Sequence, residues 1–401
     1  MLDHTEAAFV LVQTPDCRFE DTVVERALVL ASADDRVAAW EFRRKPLDAT
    51  KPYDPLTFDT PSVAGPALLL NVSAWRRCAG AARSWPALSR RFQAAGYRLR
   101  YLPHSVVWCE ERLPPFQLGC GWRDRLDHAA RIVFGTPAAP DCAQQYASEF
   151  RATTGFRFPA APKEAPLVSL IMRTHAGRRH YLSNALHCVQ QQTYPAIELV
   201  LLEDGSSEAA GIALDDRTIV YRSLPKAGRV AAGNAGLALA RGRYLGFFDD
   251  DDLLWPDHVE VLVSALQAAD DGVQAAYAYA IESAVDIESL APLRLRERRH
   301  RLVGGDFSPE ALRSYNRLPI QAVLFDRSLY EQLGGLDASL GALEDWDLWL
   351  RYTAATKFRC APKITSLYRI PARRKERWRR AAEHSAAETM VRAKHGLQMR
   401  R

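Results

Sequence analysis

The chain has 401 residues, 48% hydrophobic and 25% charged, which is room for two or three domains with sizeable cores. A formal charge of +5 is too small to signal nucleic-acid binding, so no nucleic-acid partner is expected. The seven cysteines are scattered without a CxxC pair and read as reduced thiols. No apolar run reaches membrane-span length, and the start MLDHTEAAFV lacks a basic-then-apolar leader; a cytoplasmic location is the expectation.

In chain order, Ala8–Val12 reads as a strand, Asp21–Ala31 as a helix and Ala67–Leu70 as a buried strand. Helices follow near Ser73–Cys78 and Trp85–Ala95, then two short strands, Arg98–Leu102 and Ser105–Trp108. Two further helices are expected near Trp122–Phe134 and Asp141–Thr153, and the Pro/Ala stretch Phe158–Pro166 closes this connector as a semi-rigid linker. Strand and helix then alternate: Leu167–Met172, Tyr181–Gln191, Ile197–Leu202, Thr218–Arg222 and Ala231–Ala240. That order predicts a mainly parallel sheet, with ligands in the crevice past the carboxyl ends of its strands. The basic bunch Arg294–Arg301 reads first as a solvated helix face, with an anionic substrate or a membrane surface as the alternative. A second basic run, Arg373–Arg380, leads into a terminal helix; it is either solvated or a peripheral membrane contact at the inner face.

The organising stretch is Tyr244–Asp252, an apolar strand ending in Asp249, Asp250, Asp251 and Asp252. Four like charges repel unless a cation or a helix N-terminus neutralises them, and a hard divalent ion shared with substrate phosphates would do so. The plainer reading is an acidic first turn for the helix that Pro256-Asp257-His258 begins. Asp204 also falls just past a strand end and can share the crevice; it can equally close an Asx turn in Asp204-Gly205-Ser206-Ser207. His175, His180 and His187 fit no zinc spacing and read as structural or surface residues. Trp255 and Trp346 flank acidic motifs and suit either sugar stacking or core packing.

The first part repeats pieces of the second. Phe9–Asp16 lines up with Leu245–Asp252, and Ala67–Asn71 with Ala322–Asp326. Trp85–Leu88 lines up with Asp345–Leu348, and Arg100–Pro103 with Arg359–Pro362. The early copy keeps the apolar framework and lacks the carboxylates.

Taken together, Val168–Thr174, Gln192–Pro195 before Glu198, Glu203–Ser207, Gly233–Gly236, Gly242–Tyr244, Asp249–Asp252 and Glu344–Arg351 resemble the family 2 glycosyltransferases. The resemblance covers about 167–370. It implies an α/β GT-A fold, a Rossmann-like mixed sheet flanked by helices, preceded here by an incomplete α/β module. The domain expectation is a half domain at 1–112, a connector at 113–165, a catalytic domain at 166–371 and a basic helix at 372–401. In the roles the resemblance implies, Asp204 meets the base, Arg173 and Thr174 lie along the nucleoside, and Arg229 approaches base or phosphate. Asp249, Asp251 and Asp252 hold Mn²⁺ or Mg²⁺ against the donor diphosphate, with Asp250 a spacer. Asp345, six positions before Arg351, is the base that takes the acceptor proton during inverting transfer; as a residue opening a helix it is alternatively an N-cap. The implied partners are a nucleotide-sugar donor, a UDP-sugar first among them, and a glycan or lipid-linked acceptor of bacterial surface polysaccharide. Arg173 and Ala176 depart from the family's proline and asparagine. The alternatives are a nucleotidyltransferase, for which the loop Arg173–Arg179 is a poor match, and a non-catalytic scaffold.

Overall fold

The computed structural model describes residues 6–109 except 14–16, 20–21, 46, 49–52, 64–66, 79–81 and 83. It also describes 156–157, and 165–398 except 214–218, 270–271 and 291–292. The expected connector helices, most of the Pro/Ala linker and Asp16 lie outside these residues. The chain divides into two compact units, Met1–Ala160 and Ala161–Arg401.

The first unit runs β1 (Phe9–Gln13), β2 (Cys17–Phe19), α1 (Val23–Ser32), β3 (Val37–Lys45), β4 (Leu47–Asp48), β5 (Ala67–Asn71), α2 (Val72–Cys78), α3 (Trp85–Ala94), β6 (Arg98–Cys109) and β7 (Phe156–Arg157). Its main sheet has the order β1-β5-β3-β6-β2. Trp40, Phe42, Leu69 and Val107 pack one side, and Leu70, Leu88, Phe92 and Leu99 the other. Strand β3 escapes the sequence reading because it is buried on both faces and so shows no alternation. The two strands expected at 98–108 are one, β6. Its pairing with β3 jumps from Leu102 opposite Phe42 to Val106 opposite Arg43, so 103–105 bulge at Pro103, which has no N–H to give the ladder.

The second unit runs β8 (Val168–His175), α4 (Arg179–Gln190), β9 (Ile197–Asp204), α5 (Ala210–Ala213), β10 (Ile219–Leu224), α6 (Arg229–Leu239), β11 (Tyr244–Phe247), β12 (Leu253–Leu254) and α7 (His258–Gln267). It continues with β13 (Ala275–Leu290), β14 (Leu293–Val303), α8 (Pro309–Ser314), β15 (Val323–Asp326), α9 (Arg327–Leu333), α10 (Glu344–Tyr352), β16 (Phe358–Pro371) and α11 (Arg374–Lys394). The sheet order is β10-β9-β8-β11-β15-β13-β16-β12, with β14 on β13. Strands β10, β9, β8 and β11 are parallel; β15 then runs antiparallel to β11 and β13, and β13 is parallel to β16. The sheet is thus mixed rather than mainly parallel. The basic bunch at 294–301 is strand β14, not a helix face, and its arginines are exposed along a hairpin with β13.

Three motifs that looked chemical turn out to hold this sheet together. Glu198 accepts from Ser169 Oγ at 2.6 Å and from Arg241 N and Nε at 2.6 and 2.8 Å. Gln192 bonds Trp255 O and Val259 N, pinning the segment that follows the acidic stretch. Asn234 exchanges two 2.8 Å bonds with the backbone of Leu336. Gly242 lies so close to β8 that an added Cβ would stand 2.6 Å from Ser169 N and 2.8 Å from Leu167 O. Backbone cannot swing aside, so Gly242→Ala is expected to cost about 1–3 kcal/mol, the range for overpacking. A urea midpoint equal to wild type would show that the two chains can separate freely here.

The order β1-β5-β3-β6-β2 is repeated, with the same strand senses, by β11-β15-β13-β16-β12. Asn71 and Asp326 each end a strand and bond the first turn of the helix that follows, at Ala74 N (3.1 Å) and Ser328 N (3.0 Å). Phe9 faces Asn71 and Tyr244 faces Asp326, so Phe9 corresponds to Tyr244, one residue away from the alignment suggested by sequence.

Candidate functional site

The carboxyl ends of β8, β9 and β11 open onto a cleft of about 970 Å³ lined by Arg173, Thr174, Arg178, Asp204, Arg229, Asp249–Asp252, Glu344 and Asp345. All eight residues proposed from sequence therefore reach one cavity. What each touches differs from the expectation in several places.

Arg173 ends β8, 6% exposed, and grips Asp249 through Nε and Nη2 at 2.7 and 2.6 Å. Its Nη1 also reaches Glu344 at 3.2 Å, and its guanidinium lies over the Phe247 ring. Burial opposes its charge, but Asp249 and Glu344 outweigh that and hold the proton more tightly than usual. Glu344 is shared with Arg229 at 2.6 Å. Asp204 bonds the backbone N–H of Ala227 and Gly228 at 2.7 and 3.0 Å, fastening the loop that leads into Arg229. Neighbouring Glu203 is fixed in turn by Tyr221 Oη and by the N–H groups of Glu208 and Ala209.

Asp250 is no spacer. It is 3% exposed, accepts from Thr174 Oγ1 at 2.6 Å and is paired with Arg178 at 2.6 Å. Burial pushes its carboxyl upward, against the pull of Arg178. Arg178 also meets Asp251 at 2.8 Å, a role that the sequence reading missed. The available signal was its place: it precedes α4 just past a central strand, where a side chain faces the crevice.

Asp252 is 6% exposed, and among the described residues no hydrogen bond reaches its carboxylate. Burial, then Asp251 and Asp249, raise its pKa well above the usual carboxylate range. A hard cation beside Asp251 and Asp252 would relieve that cost. Among the described residues no three His, Cys, Asp or Glu side chains form a complete metal cage. The donor set fits a divalent ion held by one or two carboxylates and completed by substrate oxygens.

Asp345 lies in the first turn of α10, accepting from Asn316 Nδ2 at 2.8 Å and from Trp346 N at 2.8 Å. The N-cap of that helix is Leu343, not Asp345. Leu343 has φ 56° and ψ 22°, a left-handed conformation that costs a branched residue about 1–3 kcal/mol and tilts the Glu344-Asp345 pair into the cleft. Burial and the adjacent Glu344 lift the Asp345 carboxyl to about 6, with Asn316 and Arg229 opposing. Trp346 and Trp349 are buried in the core, with Trp346 also lining the cleft floor beside Asp345. Trp255 is likewise buried.

The terminal helix α11 also borders the cleft, with Arg377, Arg380, His384 and Glu388 on one stripe. Its far end is docked: Val391 enters the core, Arg392 bonds Ser314 O, and Lys394 and His395 meet the buried Asp347. Trp378 points away and is 68% exposed.

Residues 169–310 match the family model described as Glycosyl transferase family 2. The matched stretch lies in the second unit, whose mixed sheet is flanked by helices. Among curated relatives, the chain is 25% identical over 194 residues to an uncharacterized glycosyltransferase of Rickettsia prowazekii, covering 47% of this chain and 59% of that protein. It is 24% identical over 209 residues to an uncharacterized glycosyltransferase of Bacillus subtilis, covering 50% of this chain and 73% of that one. Among solved structures, a mannosyltransferase from Pyrobaculum calidifontis in complex with GDP-Man and Mn²⁺ aligns with TM-score 0.42 and 18% identity, over 59% of this chain and 66% of that one. No helix among the described residues is long and apolar enough to cross a membrane.

Proposed function

We propose that the chain transfers a sugar, with inversion, from a nucleoside-diphosphate sugar to a hydroxyl of a glycan or lipid-linked acceptor, at a cytoplasmic site. The observation that carries this reading is Asp345, a carboxyl with a pKa of about 6, in the same cleft as Asp204 and the Asp249–Asp252 cluster. At pH 7 such a group is about nine-tenths ionised, yet basic enough to take a hydroxyl proton as that oxygen attacks. Asn316 fixes one of its oxygens, which orients the carboxylate toward the incoming acceptor. Asp204 sits at the end of β9, where a uracil-type base can be read, and Arg229 borders the same wall. Asp251 and Asp252 would hold Mn²⁺ or Mg²⁺. Such an ion supplies Lewis-acid stabilisation of charge on the departing nucleoside diphosphate.

The first unit lacks counterparts of β8, β9 and β10, among the described residues. The shared strand order supports reading it as a partial, non-catalytic copy of the same fold, its role structural.

Thermal shift against a panel of nucleotide sugars, with and without Mn²⁺, tests the function. The expected result is stabilisation by one nucleotide family, larger with Mn²⁺. Asp252→Asn is expected to abolish the Mn²⁺-dependent part while leaving the fold intact, since it removes a buried charge lacking a partner. No stabilisation by any nucleotide sugar would refute the reading; full Mn²⁺ dependence in Asp252→Asn would refute the metal assignment.

A further inference from the structure

The arginines of the cleft fall into two groups by what they touch. Arg173, Arg178, Arg229 and Arg301 are each paired with a carboxylate: Asp249, Asp250 with Asp251, Glu344 and Glu282. Arg299 of β14 and Arg377 and Arg380 of α11 line the same cleft without a hydrogen bond or a carboxylate partner among the described residues. Arg369 of β16 belongs with the acidic cluster: it gives Nη1 to Asp251 O at 2.6 Å and its charge favours ionised Asp252.

Cations that line one cleft without counter-charge repel one another. Nothing in the packing needs them. Arg377 and Arg380 lie in the half of α11 beyond its docked end, and Arg299 is exposed on its strand. These guanidiniums converge on a cleft wall, and fork-shaped donors suit the oxygens of a phosphate. Their place also separates them from the donor side. The carboxylates of the donor side end β9 and follow β11, in the parallel half of the sheet. The unpaired arginines come from β14 and α11, outside that parallel half.

We propose that β14 and the first half of α11 form an anion subsite on the acceptor side, and that the acceptor hydroxyl belongs to a molecule bearing a phosphate ester. This rests on the transferase reading above. The phosphate can belong to a soluble glycosyl phosphate or to a lipid headgroup.

The test uses the full chain and the variants Arg299→Gln/Arg377→Gln/Arg380→Gln and Arg377→Gln alone. Binding of glucose 1-phosphate and of methyl glucoside is measured by titration calorimetry, and cosedimentation with phosphatidylcholine vesicles is compared with and without about one quarter phosphatidylglycerol. UDP and GDP binding, followed in parallel, reports on the donor side and on folding of the variants. The expected result is saturable binding of the phosphate ester over the neutral sugar, or of the anionic over the neutral vesicles. It is weakened about tenfold in Arg377→Gln and further in the triple variant, with nucleotide affinity unchanged. Calorimetric binding without vesicle selectivity assigns the phosphate to a soluble molecule; the reverse assigns it to a headgroup. Wild-type protein that prefers neither anion, or a triple variant that binds nucleotide and anion as wild type does, overturns the subsite. If the phosphate ester binds but no nucleotide does, the subsite stands as an anion site and the transferase reading falls.

Discussion

Asp345→Asn is expected to slow sugar transfer by about 10²–10⁴-fold while nucleotide affinity stays within twofold, the usual scale for loss of a general base. The asparagine keeps the size and one acceptor oxygen, which serves Trp346 N, while the bond from Asn316 to the other oxygen is lost, so stability should fall by only about 1 kcal/mol. The wild-type rate should carry the signature of the same group. Burial and Glu344 place its carboxyl at about 6, so the ionised base is complete above pH 7 and is lost as pH falls through 6. Below that point the rate should drop about tenfold per unit, and this acidic limb should vanish in the variant's residual activity. Transfer at more than a tenth of the wild-type rate would leave Asp345 as a helix-turn residue with no chemical duty.

The second large effect is on stability. Arg173→Met should destabilise the second unit by about 3 kcal/mol, because it leaves Asp249 without its cation and the buried Glu344 with Arg229 alone. A methionine fills much of the volume over Phe247, so lost packing is a minor part. Urea unfolding at pH 7 measures it. A loss under 1 kcal/mol at pH 7 would mean that this pair behaves as a solvent-screened surface bridge.

Much of the site was legible because its carboxylates stand where strands end. Asp204 and Asp249–Asp252 each follow an apolar run, and that pattern alone places them in one crevice. Arg178 and Glu344 were harder: each gains its role by pairing across the cleft with a residue more than seventy positions away. The basic strand β14 was misread although Leu293 and Leu295 alternate with Arg294 and Arg296, a period of two that charge density obscured. Strand β13 offered no period, since its first eleven residues are buried. The inward stripe of α11 could not be read locally. Which face of that helix meets the cleft is fixed by Val391 and Arg392 at its far end.

The recurrence of one five-strand pattern in a single chain has a consequence for how the protein reaches its native state. As synthesis proceeds the first sheet emerges earlier, and an unfolded β11 can compete with β1 for β5, a strand of the same length class and sense as its own β15. Exchange of like strands between tandem sheets is a characteristic kinetic trap. One residue guards against it in the converse pairing. At the place held in β1 by Leu11, β11 has Gly246, where an added Cβ would already stand 3.2 Å from Leu324 Cδ1 and 3.3 Å from Val323 O. β1 in that place would crowd Leu11 against Leu324 and the Val323 carbonyl, so side-chain volume disfavours that exchange where the strand pattern does not.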